Sequence, residues 1–199
     1  MKYLILLTLL SIVAKSQTII DIRDNSYSNP NNTYYDYYKK DLNNLLDPFQ
    51  GTYIYTNGNI SFKIVLQKMI KQSQSLHFED LIIGEYQYIE NGIEKTNTIS
   101  NINIIYNNQY SKHAIAGNSI INNNNREWKC PQCNANEKRL RAKIIDRSTD
   151  RHATIFMRRT TVNGQEVLQV KVTDILPDYG TTNPQAFSLP FGEFTMIKQ

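Results

Sequence analysis

Apolar and polar side chains alternate over long stretches of this chain, and three of the clearest runs are interrupted by an asparagine–glycine step. In residues 51–67, Tyr53, Tyr55, Ile60, Phe62, Ile64 and Leu66 share one face, and Thr52, Thr56, Ser61, Lys63 and Gln67 the other. A period of two with one apolar face predicts a half-buried antiparallel pair of strands. Asn57-Gly58 suits a two-residue type I′ turn, whose central residues both need positive φ. That register sets Tyr55 opposite Ile60 and Tyr53 opposite Phe62.

The pattern recurs twice. Residues 81–90 and 93–99 flank Asn91-Gly92. A two-residue turn there puts Tyr86 and Tyr88 on the face of Ile93, whereas a three-residue loop with a bulge sets Ile89 opposite Ile93. Residues 153–162 and 165–174 flank Asn163-Gly164, and pairing Met157 with Val170 and Ile155 with Val172 collects every apolar residue on one face. Turn chemistry and hydrophobic pattern agree there, which marks a consistent local fold.

Weaker elements lie between. Leu42, Leu45 and Leu46 have helical spacing and predict one or two turns over 41–47, ended by Asp47-Pro48 because the residue before proline avoids the α region. Residues 102–106 suit a short strand. The asparagine-rich stretch 107–125 reads as a long mobile loop. Leu140, Ala142 and Ile144 alternate with Arg139, Arg141 and Lys143, which predicts a strand with a basic face; a helix capped by Asn134 and Glu137 competes. Residues 176–190 form a proline-marked loop, and 191–198 a last strand with Phe194 and Met196 on one face.

These elements make a mainly β fold: an antiparallel meander, closed as a lipocalin-like barrel or stacked as a twisted β-sandwich, with a short N-terminal helical turn. At 199 residues, 40% hydrophobic and 20% charged, the chain has globular composition and room for one core. Residues 1–16 have the form of a secretory signal peptide: Lys2, an apolar run to Val13, then Ala14-Lys15-Ser16 as a small-x-small cleavage site with no lipoprotein cysteine. Residues 17–40 read as a flexible tyrosine- and asparagine-rich arm carrying Tyr27, Tyr34, Tyr35, Tyr37 and Tyr38, and 41–199 as a single antiparallel β-domain. The predicted location is secreted or periplasmic, with no transmembrane segment. Without Lys2 and Lys15 the net charge is only +2, which argues against a nucleic-acid partner.

Several segments carry a resemblance. Phe49-x-Gly51-Thr52, the run 84–92 (GEYQYIENG), Cys130-x-x-Cys133 followed by 136–140 (NEKRL), and Leu189-Pro190-x-Gly192-Glu193-x-Thr195 together resemble a family of small exported bacterial proteins of unknown function. Membership implies a Gram-negative secreted protein and no particular activity. More loosely, a helical turn leading into Gly51-Thr52-Tyr53 at the head of a meander is similar to the start of lipocalins, which have tryptophan where Tyr53 stands. That likeness implies an apolar cavity and specifies no ligand.

Candidate chemistry is sparse. Cys130 and Cys133 are the only cysteines; in an exported chain an even count favours a disulfide, with metal binding, redox exchange and free thiols as alternatives. No second CxxC exists to complete a zinc site, and Trp128-x-Cys130 resembles a thioredoxin motif without its α/β surroundings. His77, His113 and His152 read as surface histidines, and Glu79-Asp80 and Glu85 as ordinary strand carboxylates. There is no GxSxG or HExxH pattern, so no catalytic residue, metal or cofactor is assigned. Residues 126–159 hold ten basic against four acidic residues, a local +6 that leaves −4 elsewhere in the mature chain. Lys138, Arg139, Arg141, Lys143 and Arg147 are thus a candidate binding patch for an anionic glycan or protein, or form a solvated face that protects a strand edge.

The expected function is an exported, non-catalytic binding or interaction protein, its partner a small apolar ligand or an anionic macromolecule. The competing classes are an enzyme (a hydrolase or a CxxC thiol–disulfide exchanger) and a structural surface component.

Overall fold

All three asparagine–glycine steps sit at hairpin tips, but not in one register. The computed structural model describes residues 17–24, 37–74, 77–123, 126–176 and 185–199. Asn91-Gly92 and Asn163-Gly164 are two-residue turns with positive φ at both positions, at 54° and 71° and at 50° and 79°. They join β5 (His77–Glu90) to β6 (Ile93–Asn97), and β9 (Arg151–Val162) to β10 (Gln165–Thr173). Met157 pairs with Val170 and Ile155 with Val172, as the alternation predicts.

The first turn corrects the expectation. Between β3 (Gly51–Asn57) and β4 (Ile60–Gln74), Asn57 pairs with Ile60, so the central residues are Gly58-Asn59. Gly58 alone takes a positive φ, 57°, which is the requirement of a type II′ turn. The register is displaced by two residues: Tyr55 faces Phe62 and Tyr53 faces Ile64. A shift of two returns each side chain to its original face, so the predicted apolar face survives. Asn59 is also tied to the second hairpin, donating to the Asn91 side chain and accepting from Asn91 N at 3.0 Å.

Eight strands close into an antiparallel barrel in the order β3-β4-β5-β7-β8-β9-β10-β11. Here β7 is Ile115–Asn122, β8 is Lys138–Asp146 and β11 is Gly192–Lys198. The ring is completed by Ile197 against Ile54 on one side and by Ile83 against Ala116 on the other. The stretch 107–125, expected to be a loop, therefore supplies the closing strand. It also holds a one-turn helix, α1 (Gln109–Lys112). Residues 102–106, expected to be a strand, instead begin within a 3₁₀ turn at Ile99–Asn103 and leave it as irregular chain.

Strand β5 organises the wall. It pairs with β4 along nearly its whole length, while its other side meets three strands in succession. These are β2 (Tyr37–Lys40) at Phe78–Glu79, β7 at Ile82–Gly84 and β6 at Gln87–Glu90. The short β1 (Thr18–Asp21) lies parallel to β2, so two pieces of the expected arm extend the sheet. The expected leader, 1–16, and Tyr27, Tyr34 and Tyr35 lie outside the described residues.

The barrel interior is packed with side chains. Tyr53, Phe62, Ile64, Tyr86, Ile115, Leu140, Ile144, Ile155, Met157, Leu168, Val170 and Met196 belong to one continuous buried cluster. The Phe62 ring is 5.6 Å from that of Tyr86 and 6.3 Å from those of Tyr88 and Phe194. Buried Leu46 and Phe49 join the same cluster. Leu42 is exposed, so the three leucines do not form the expected helical face. The reason is local: the Asp41 carboxylate accepts from Leu45 N at 2.8 Å and Leu46 N at 2.9 Å, which stabilises an irregular turn. Pro48 then opens a 3₁₀ turn at Asp47–Phe49 rather than ending a helix. Among the described residues no helix is long and apolar enough to cross a membrane.

Candidate functional site

Strand alternation sends Leu140, Ala142 and Ile144 into the barrel and Arg139, Arg141 and Lys143 to its outer wall. The predicted basic residues then meet different fates. Arg139 is fully buried beneath the segment that precedes β8. Its guanidinium donates to Trp128 O and Asn123 Oδ1, contacts Glu137 at 3.3 Å and lies 4.7 Å from the centre of the Trp128 ring. Asn123 in turn donates to Cys130 O at 2.8 Å and Cys133 O at 3.2 Å. Arg139 is thus a pin that holds the CxxC segment on the barrel, out of reach of a partner. Cys130 and Cys133 form a disulfide with Cα atoms 5.3 Å apart. Lys138 lies on the opposite face of β8 and donates to Asn122 at 2.5 Å. Arg147 sits in the β8–β9 turn and donates to Lys112 O at 2.6 Å.

Arg141 and Lys143 remain, and a groove of about 370 Å³ brings them together with residues no simple pattern connects. Its origin is a bulge in β7. Ala116 pairs with Lys143 and Ser119 with Arg141, so Gly117 and Asn118 together oppose Ala142. Two residues against one bend the strand and re-aim its side chains, a geometry common beside binding sites. Gly117 is required by the close approach: a Cβ there would lie 2.6 Å from Ala142 Cα and 2.7 Å from its Cβ. Asn118 is aimed across the wall, donating to Glu79 at 2.9 Å and Asp80 O at 2.8 Å. Tyr110, from α1, walls one side; His152 and Thr154, from the outer face of β9, wall the other.

The groove is cationic. The Lys143 ammonium lies 4.7 Å from the centre of the Tyr110 ring, and among the described residues no carboxylate pairs with it. Burial and the nearby Arg147 charge draw its pKa down to about 8. Burial, together with the Lys143 and Arg147 charges, also lowers the His152 pKa, so that imidazole is neutral at pH 7. Arg141 is half exposed, 3.9 Å from Glu127 and 5.9 Å from the Phe156 ring centre. Its guanidinium is therefore available to a carboxylate or sulfate, which it can meet with two parallel hydrogen bonds.

The other titratable residues serve the fold. Buried His113 bridges Glu85 (Nδ1···Oε1 2.8 Å) and Gln109 (Nε2···Oε1 2.9 Å), fastening α1 to the outer face of β5. Asp80 accepts from Tyr38 Oη, and from Asp41 N and Lys71 N at 2.9 Å, so it joins β2 to a bulge in β4. His77 stacks on Tyr37 with ring centres 4.7 Å apart. A family model spans residues 1–199. The chain belongs to DUF6705, a family of unknown function. No curated protein and no solved structure matches this DUF6705 chain.

Proposed function

We propose that this chain is an exported, non-catalytic binding protein that takes an acidic sugar unit of an anionic glycan into the groove on its barrel wall. The observation that carries this reading is Lys143: a desolvated ammonium with no carboxylate partner among the described residues, set beside Arg141 in a groove of about 370 Å³. Several other partly buried cations have carboxylate partners, as Lys68 has in Asp41 and Asp47 and Arg159 in Glu166. A site of this volume suits one small ligand unit. The packed interior supports an outer-wall ligand over an apolar one held inside the barrel. The disulfide supports an oxidising compartment, as does the expected leader.

Titration calorimetry with a heparin-derived tetrasaccharide and a neutral maltotetraose tests the reading. Only the sulfated probe should bind, more weakly as salt rises, and Arg141→Glu should abolish binding while leaving the circular dichroism unchanged. Equal binding of the neutral sugar, or unchanged affinity in Arg141→Glu, would overturn it.

A further inference from the structure

The groove holds a primary amine in a setting unlike that of three other partly buried lysines. Lys68 is held at 2.9 Å by Asp41 and 2.6 Å by Asp47, Lys198 at 2.6 Å by Glu166, and Lys171 at 3.5 Å by Glu193. Each of those acids stabilises an ammonium. Lys143 has an aromatic ring instead and the positive charge of Arg147, in the following turn, acting on it; Arg141 and the neutral His152 line the same groove. The acids around the groove face other groups: Glu79 on β5 accepts from Asn118, Glu127 lies 3.9 Å from Arg141, and Asp150 acts on His152.

Desolvation and neighbouring positive charge are the two ways a lysine becomes a nucleophile near neutral pH. Here burial and the Arg147 charge bring the pKa down to about 8. Compared with an ordinary lysine, the free amine at pH 7 is then more abundant by about 300-fold.

We propose that Lys143 is a selectively reactive amine that captures a small aldehyde or ketone bearing a carboxylate, as a reversible Schiff base. The Nζ lone pair adds to the carbonyl carbon, and a proton passes from nitrogen to the former carbonyl oxygen to give a carbinolamine. Loss of that hydroxyl with one further proton, as water, leaves the C=N bond, and hydrolysis reverses the sequence. Neither an oxidant nor a reductant is consumed. Neutral His152 in the same groove can accept and return the proton, and Arg141 receives the carboxylate. The proposal rests on the groove being the binding site, and it adds a covalent step to it.

The test uses the full chain with glyoxylate and cyanoborohydride, the latter added to trap the imine, followed by peptide mass mapping of all lysines. Lys143 should be modified at least tenfold faster than exposed Lys95, with a rate that rises through a midpoint near pH 8. Arg141→Gln should slow the reaction with glyoxylate and leave that with neutral propanal unchanged; Lys143→Arg should remove the fast site. Labelling spread over the lysines in proportion to exposure overturns the proposal and needs no variant. If the sulfated tetrasaccharide binds while labelling is even, only the amine chemistry falls. If Lys143 labels selectively while that probe does not bind, the glycan reading falls and the reactive amine stands.

Discussion

Gly117→Ala probes the seam on which both the closed barrel and the groove depend. The added methyl carbon would sit 2.6 Å from Ala142 Cα, 2.7 Å from Ala142 Cβ and 3.0 Å from Arg141 O. Carbon atoms in contact rest about 3.5–4 Å apart, so β7 and β8 must separate by roughly 1 Å. Two of the three obstructing atoms are backbone and cannot rotate away. Overpacking of this kind costs about 1–3 kcal/mol, and the rigid neighbours place this case at the upper end, near 3 kcal/mol. With a urea m-value of about 2 kcal/mol/M, the unfolding midpoint should fall by about 1.5 M.

Gly164→Ala is the matched control. Gly164 has φ +79° and nothing within 4 Å of the added carbon, so only the left-handed backbone penalty of about 1 kcal/mol applies. Gly84→Ala should fall between the two, because its nearest obstacle, at 2.5 Å, is the end of the flexible Leu66 side chain. Urea unfolding followed by far-UV circular dichroism ranks the three variants. Should Gly164→Ala prove as costly as Gly117→Ala, the close approach of β7 to β8 is not what selects glycine at 117, and the bulge geometry behind the groove is wrong.

Two further outcomes are expected. Arg139→Ala removes the donors to Trp128 O and Asn123 and the guanidinium beside the Trp128 ring; it should cost about 3 kcal/mol and red-shift emission from the chain's one tryptophan. A loss below about 1 kcal/mol with unshifted emission would show that Arg139 does not hold that segment. Burial pushes the Asp146 carboxyl up, but hydrogen bonds from Ser148 and Ser188 outweigh it and hold its pKa below 3.8. A depressed carboxyl pKa contributes stability that is complete above the unfolded value and fades as pH falls through the folded one. Stability should therefore drop below about pH 4, and Asp146→Asn should flatten that acid limb while costing roughly 2–4 kcal/mol at pH 7. An unchanged acid limb in the variant would exclude Asp146 as its source.

The sequence by itself determined what depends on near neighbours. Period-two alternation assigned β3, β4, β5, β9, β10 and β11, and left β8 contested by a helix, because one strand's pleat decides which side chains share a face. Turn chemistry placed the corners, and even where Gly58-Asn59 replaced Asn57-Gly58, the faces survived because the slip was two residues. The even cysteine count pointed to the disulfide for a reason of compartment, not of geometry. Only the tertiary structure decided closure, since β7 hides in asparagine-rich sequence whose alternation is broken by the Gly117–Asn118 bulge. Arg139, Arg141 and Lys143 look alike along the strand, yet one is a buried pin, one is half exposed and one is a desolvated amine. Those differences come from Trp128, Glu127, Tyr110 and Arg147, residues remote in sequence or across a turn. Burial and electrostatics depend on who packs beside a group, and a residue pattern carries no record of that.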